Sequence, residues 1–133
     1  MRMWMINPKL MCLKHILGEH AQIHRYYNPF SRHYNIDKRI QPIVMIEPQN
    51  MKKRHDRLEE ELNRRRETGE VKGLKKTSPY ILPDLSYLPQ AQREAKMDKF
   101  MSMQALMERC PVCKERIMKL FNEKHEVNED EIS

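Results

Sequence analysis

The sequence is poor in glycine, with three, and in tryptophan, with one. So few glycines suit a helical chain better than a sheet built on many turns. No apolar run approaches the roughly 18 to 20 residues that would cross a bilayer. The opening residues lack the basic flank, apolar block and small-residue cleavage site of a signal peptide. The expectation is a protein of the cytoplasm with no membrane partner. Three cysteines are an odd number for a disulfide framework and point to reduced thiols or a metal site. No glycine-rich phosphate loop, Gly-x-Ser-x-Gly elbow or pair of aspartates is present, so nucleotide hydrolysis and serine chemistry have no support.

What is abundant is charge and methionine. Charged residues make up 33% of the 133 positions and the net charge is +6. The last twelve residues, NEKHEVNEDEIS, hold five acids against one lysine, leaving residues 1 to 121 at +10. A basic body of this kind reads first as a binder of polyanions, nucleic acid being the commonest. The eleven methionines supply adaptable core filling. The length fits one domain. Residues 1–121 are expected to form that domain and 122–133 an acidic, disordered tail.

Hydrophobic periodicity predicts an all-α fold of three main helices, long irregular connections and a short C-terminal helix. After Asn7 and Pro8, an apolar stripe of Leu10, Leu13, Leu17 and Ala21, with His24 at its end, predicts helix one over residues 9–26. Gly18 costs such a helix about 1 kcal/mol relative to alanine, which points to a close neighbour or a ligand there. YYNPFSRHYNIDKR reads as a loop carrying aromatics among bases, and IQPIVMIEP as an extended buried connector between prolines. Pro48 opens helix two, with an apolar edge of Met51, His55, Leu58 and Leu62 and an end at Gly69. Its charges are expected on the other faces, with Glu60–Arg64 and Glu61–Arg65 pairs. A surface connection follows to residue 90. Helix three spans residues 91–109 on a stripe of Met97, Phe100, Met101, Ala105 and Leu106, and Pro111 starts the last helix, through Phe121.

Two patterns carry chemistry. Cys12-x2-His15 and Cys110-x2-Cys113 together supply three sulfurs and one nitrogen, the ligand types and number of tetrahedral zinc. Buried reduced thiols are the alternative. His15, Glu19 and Gln22 follow spacings of four and three, so they share one face of helix one, and Arg25 continues it. A solvated helix side produces the same string.

The string LMCLKHILGEHAQIHR resembles the first helix of the phage-type pyrimidine dimer DNA glycosylase family, the endonuclease V of ultraviolet repair. IQPIVMIEPQNMKKRHDRLEEELNRRR is similar to that family's proline-containing connector and basic second helix, and SMQALMERCPVCKERI, more weakly, to its last helix. The likeness touches roughly residues 1–66 and 100–118. It implies an all-α enzyme of a bacterial or phage-infected cell that acts on damaged double-stranded DNA with no cofactor required for catalysis. The α-amine of Met1 is then the nucleophile at C1′, expelling a flipped base and forming an imine that permits strand cleavage. An α-amine, with a pKa of about 7.7 to 8.0, has a substantial unprotonated fraction near neutrality, unlike lysine at about 10.4. Arg2, His15 and Arg25 match basic positions near the scissile phosphates, with His20 a further DNA-contacting candidate, and Glu19 matches the family's first glutamate. Gln22 stands where the family has its catalytic carboxylate, and an amide can neither carry that charge nor take up a proton at ordinary pH. Glu19, a turn away, is the residue left to substitute. Ala21 stands in the register of the family's damage-contacting arginine. Two other readings stay open: a non-catalytic relative that binds DNA or a protein partner, and a small zinc-stapled module on Cys12, His15, Cys110 and Cys113.

Overall fold

The computed structural model describes residues 2–74, 79–124 and 126–133. Among the described residues the chain is helical with no strand. Residues 2–6 form an irregular segment, with Met5 at φ 56°, in which Met3 and Ile6 are fully buried and the Met3 amide donates to the Met45 carbonyl at 2.9 Å. Asn7 then caps a short 3-10 turn, Pro8–Leu10, by accepting from the Lys9 amide at 3.1 Å. The principal helices are α1 (Leu13–Arg25), α4 (Met51–Glu67), α6 (Lys99–Arg109) and α7 (Pro111–Glu123). Between and after them lie the short α2 (Tyr27–Ser31), α3 (Asp37–Ile40), α5 (Gln90–Arg93) and α8 (Glu129–Ile132).

Helix α1 packs on α4, and α6 on α7. Ile16 and Ile23 of α1 meet the core with Met51, Leu58 and Leu62 of α4, Leu106 of α6 and Ile117 of α7. Five methionines, Met3, Met11, Met51, Met97 and Met103, are buried there, as expected of an adaptable filler. Helix α4 follows its sequence signals closely. Pro48 opens a 3-10 turn that feeds the helix, Met51, His55, Leu58 and Leu62 are all buried, and Gly69, at φ 79°, supplies the left-handed residue past its end.

Several expectations are corrected. The inward face of α1 is Ile16, Glu19, His20 and Ile23, rotated from the Leu13–Leu17–Ala21 stripe, whose members are only half-buried. Polar residues can take the inward positions because α4 offers them partners, and a buried polar group that is paired avoids most of its desolvation cost. Three charged residues of α4, Arg54, Glu61 and Arg65, are likewise buried. Arg65 donates to Glu61 at 2.8 Å and to the Met11 carbonyl at 2.7 Å, tying the approach to α1 onto α4, while Arg64 turns to Glu61 and Glu70.

The expected third helix is interrupted at residues 94–98, where the buried Glu47 carboxylate takes the Met97 amide at 2.9 Å. Asp98 then caps α6 through the Met101 amide, a start that leaves Phe100 and Met101 exposed and turns Ser102, Met103 and Leu106 inward. The aromatic loop after α1 contains α2 and α3, and its Tyr26 and Phe30 are core residues. The acidic end, expected to be disordered, closes in α8 with a capping box between Asn128 and Glu131. Ile132 is fully buried, and its carbonyl accepts from the Asn7 amide at 2.7 Å. The charge run hid this single apolar anchor. No helix among the described residues is long and apolar enough to cross a membrane.

Candidate functional site: two clusters on one helix

Cys12 and Cys110 are the N-cap residues of α1 and α7. The two helix starts converge, so each x2 spacing places its second ligand, His15 or Cys113, on the first turn facing its own cap. The Cys12 Sγ lies 3.2 Å from His15 Nδ1 and 3.8 Å from Cys110 Sγ, and Cys113 Sγ lies 3.8 Å from the same imidazole nitrogen. All four donor atoms lie within 4.8 Å of one another, and the cluster could hold a metal ion. The Cys12 amide donates to Cys113 Sγ at 3.2 Å and the Cys113 amide to Cys110 Sγ at 3.4 Å, both contacts that favour thiolate. Burial pushes the Cys113 thiol up to about 12, so a cation is what would hold it deprotonated at neutral pH. At Cys110 burial acts the same way, but the Cys113 amide and the neighbouring thiols outweigh it and the net shift is downward. The His15 imidazole is held below its ordinary range by burial and by Lys14, which leaves it neutral and able to act as a ligand.

Beside this cluster is a cleft of about 420 Å³ lined by Arg2, Trp4, Lys14, His15, Gly18, Glu19 and Arg109. The Arg2 and Arg109 guanidiniums lie 4.7 and 5.6 Å from the Trp4 ring centre. Burial first, and then the Arg109 charge, lower the Arg2 pKa. A Cβ at Gly18 meets nothing within 4 Å, so the glycine is not enforced by a packing neighbour; it opens on the cleft. Glu19 forms the floor, where its carboxylate is enclosed by Arg54, whose Nε and Nη2 donate to it at 2.6 and 2.9 Å. Arg54 also donates to the Ile6 carbonyl at 2.6 Å, so one guanidinium joins the chain start, α1 and α4.

Of the residues singled out in the sequence, Arg2, His15 and Glu19 therefore share one cleft. Gln22 does not line it; it is buried a turn further along and hydrogen-bonded to Tyr26. Arg25 is exposed at the helix end, and Met1 lies outside the described residues. His20, a candidate for DNA contact, is buried against α4 and presents no surface to a duplex. A second cleft, of about 370 Å³, carries Lys53, Arg57, Lys96 and Lys99 on its walls.

A different cluster lies further along α1. His20 and His24, four residues apart, meet His55 of α4 with ring centres 4.6 to 4.8 Å apart. Their donor atoms lie within 4.8 Å of one another. Burial first, then the neighbouring His55 and His24, push the His20 pKa down to about 4. The sequence reading missed this group because His24 was assigned to the apolar stripe and His55 to the apolar edge of α4. The legible signal was a four-residue histidine pair and a third histidine on a helix with a matching edge. No protein-family model, curated protein or solved structure matches the chain.

Proposed function

We propose that the protein is a DNA-repair glycosylase with abasic-site lyase activity, acting on damaged duplex DNA of the pyrimidine dimer type through the α-amine of Met1. One observation carries the reading: Arg2, the neighbour of Met1, lines the same cleft as Trp4, His15 and Glu19. The amine attacks C1′ of the damaged nucleotide, and the electron pair of the glycosidic bond leaves with the base. A proton passes from nitrogen to O4′ as the C1′–O4′ bond breaks, giving the imine, after which water takes a C2′ proton and the C3′–O bond electrons leave with the 3′ phosphate. Arg2, Lys14 and Arg109 supply positive charge for the backbone, and Trp4 an aromatic edge at the cleft. Glu19, the carboxylate that lines the cleft, is charge-paired with Arg54 and shapes the floor under the intermediate. Its two bonds to Arg54 hold it in place.

The cysteine cluster fits zinc. A tetrahedral ion with Zn–S of about 2.3 Å and Zn–N of about 2.0 Å sets its ligands about 3.5 to 3.8 Å apart. Three of the donor pairs here stand 3.2 to 3.8 Å apart, and all four donors lie within 4.8 Å of one another. With four protein ligands the site is closed, so its role is to staple α1 to α7, and His15 is then a ligand rather than a DNA contact. A second reading, a zinc-stapled module that binds DNA or a protein partner without catalysis, is favoured by Gln22 in place of the family's carboxylate.

Borohydride trapping separates the two. Incubated with abasic or ultraviolet-irradiated duplex, the protein should form a covalent adduct that maps to the N-terminal peptide and disappears when the α-amine is acetylated. Binding without an adduct would remove the enzyme reading and leave the module.

A further inference from the structure

The geometry points to a second metal site, in which His20, His24 and His55 hold a divalent first-row transition ion through three imidazole nitrogens, with a fourth position open to the adjoining cleft. This inference is independent of any activity on DNA. Three features carry it. The first is spacing: His24 Nε2 and His55 Nε2 stand 3.1 Å apart, and the donor atoms of all three rings lie within 4.8 Å. Tetrahedral ligands at a metal–nitrogen distance of about 2.0 Å are about 3.3 Å apart.

The second is an unmet need. His20 is buried, and its Nε2 has no hydrogen-bond partner. Ring packing alone leaves this nitrogen orphaned on an imidazole whose neighbours are two other imidazoles, whereas an ion held among the three would give it a partner. The third is the outer contact. His55 Nδ1 faces Asp56 Oδ1 at 3.0 Å and Glu59 Oε2 at 3.9 Å, which places its proton on Nδ1 and frees the Nε2 lone pair towards His24. A carboxylate behind a histidine in this way is what orients metal-ligating imidazoles.

The donor set differs in kind from the cysteine cluster. Three neutral imidazoles suit zinc, cobalt or nickel and leave one coordination position unfilled by protein. His24 also lines a cleft of about 330 Å³ with Tyr27, Asn28 and Tyr80, which gives that position access to water or a small oxygen-donor ligand. Tyr80 stacks on His55 and meets His24 edge-on, both with ring centres 5.6 Å apart, and so forms the cleft wall beside the cluster.

The test is a Co²⁺ titration of reduced, metal-free protein followed by absorption. Wild type should take up two equivalents. One carries thiolate-to-cobalt charge transfer and is lost in Cys113→Ser; the other shows only ligand-field bands and is lost in His24→Gln. Saturation at a single equivalent, of the thiolate type, overturns the proposal, as does a His24→Gln protein that still binds two. Should His24→Gln not fold, long-range proton–nitrogen spectra of wild type decide. Zinc addition should move His20, His24 and His55 together to metal-bound nitrogen shifts, and His15 alone moving overturns it.

Discussion

The two ends of α1 carry the same residue type to different ends. At its start, His15 joins three cysteines at a junction of two helix N-termini, a set of four protein groups that could hold a metal ion. At its far end, His20 and His24 join His55 across the α1–α4 interface, and protein supplies three donors beside an open cleft. A closed thiolate set suits a staple, and an open imidazole set suits an ion that exchanges ligands. Between them sits the Glu19–Arg54 pair, with side chains 0% and 2% exposed, which holds the helix that both clusters share. The lesson is that burial alone does not assign a role. The number of protein donors and the path to solvent do.

The comparison can be broken first at the staple. With zinc in the cysteine cluster as proposed, Cys113→Ser, or metal removal by a chelator, should lower the thermal unfolding midpoint by roughly 10 °C or more, since binding energy at a structural zinc is folding energy. His24→Gln should move it far less, and equal shifts would erase the distinction drawn between the clusters. Next is the shared pair. Arg54→Met leaves the Glu19 carboxylate buried and uncompensated and should cost about 3 to 5 kcal/mol in urea unfolding. Arg54→Met with Glu19→Gln should recover part of that loss, and no recovery would mean that the Ile6 contact of Arg54 matters more.

A smaller effect concerns acid. In metal-free protein the folded-state His20 pKa is about 4 against 6.5 in the unfolded chain. Between those values the unfolded state binds the extra proton, so stability falls as pH drops from 6.5 to 4, by about 1 to 3 kcal/mol. A bound ion should hold the site against this until ligand protonation releases it. Urea midpoints at pH 7 and pH 4.5, with and without Zn²⁺, measure both. Least affected should be Lys52→Ala. Its pair with Asp56, 2.6 Å long but about half exposed on both sides, should contribute no more than about 0.5 kcal/mol. A larger loss would show that Lys52 also holds Asp56 in place against His55.

Legibility followed the kind of signal. Helix α4 was readable because its apolar edge, its opening proline and its closing glycine agree with one another. The cysteine cluster was readable because both x2 spacings fall at helix starts, where one turn suffices to bring the ligands together. The inward face of α1 was not readable. Two adjacent stripes compete along it, and only the arrival of Arg54 and His55 from a helix some thirty-five residues away decides which is buried. The interruption before α6 depends in the same way on Glu47, fifty residues earlier in the chain.

Sequence by itself therefore determined the helical class, the length and apolar edge of α4, the basic balance and the two halves of the thiol cluster. Periodicity, caps and composition act within a turn or two of their own residues. Tertiary structure alone decided that Glu19 is clamped rather than free, that the acidic end docks through Ile132, and that three histidines on two helices meet. Such contacts are fixed by which buried polar group finds a partner across the core, and that information belongs to no single segment.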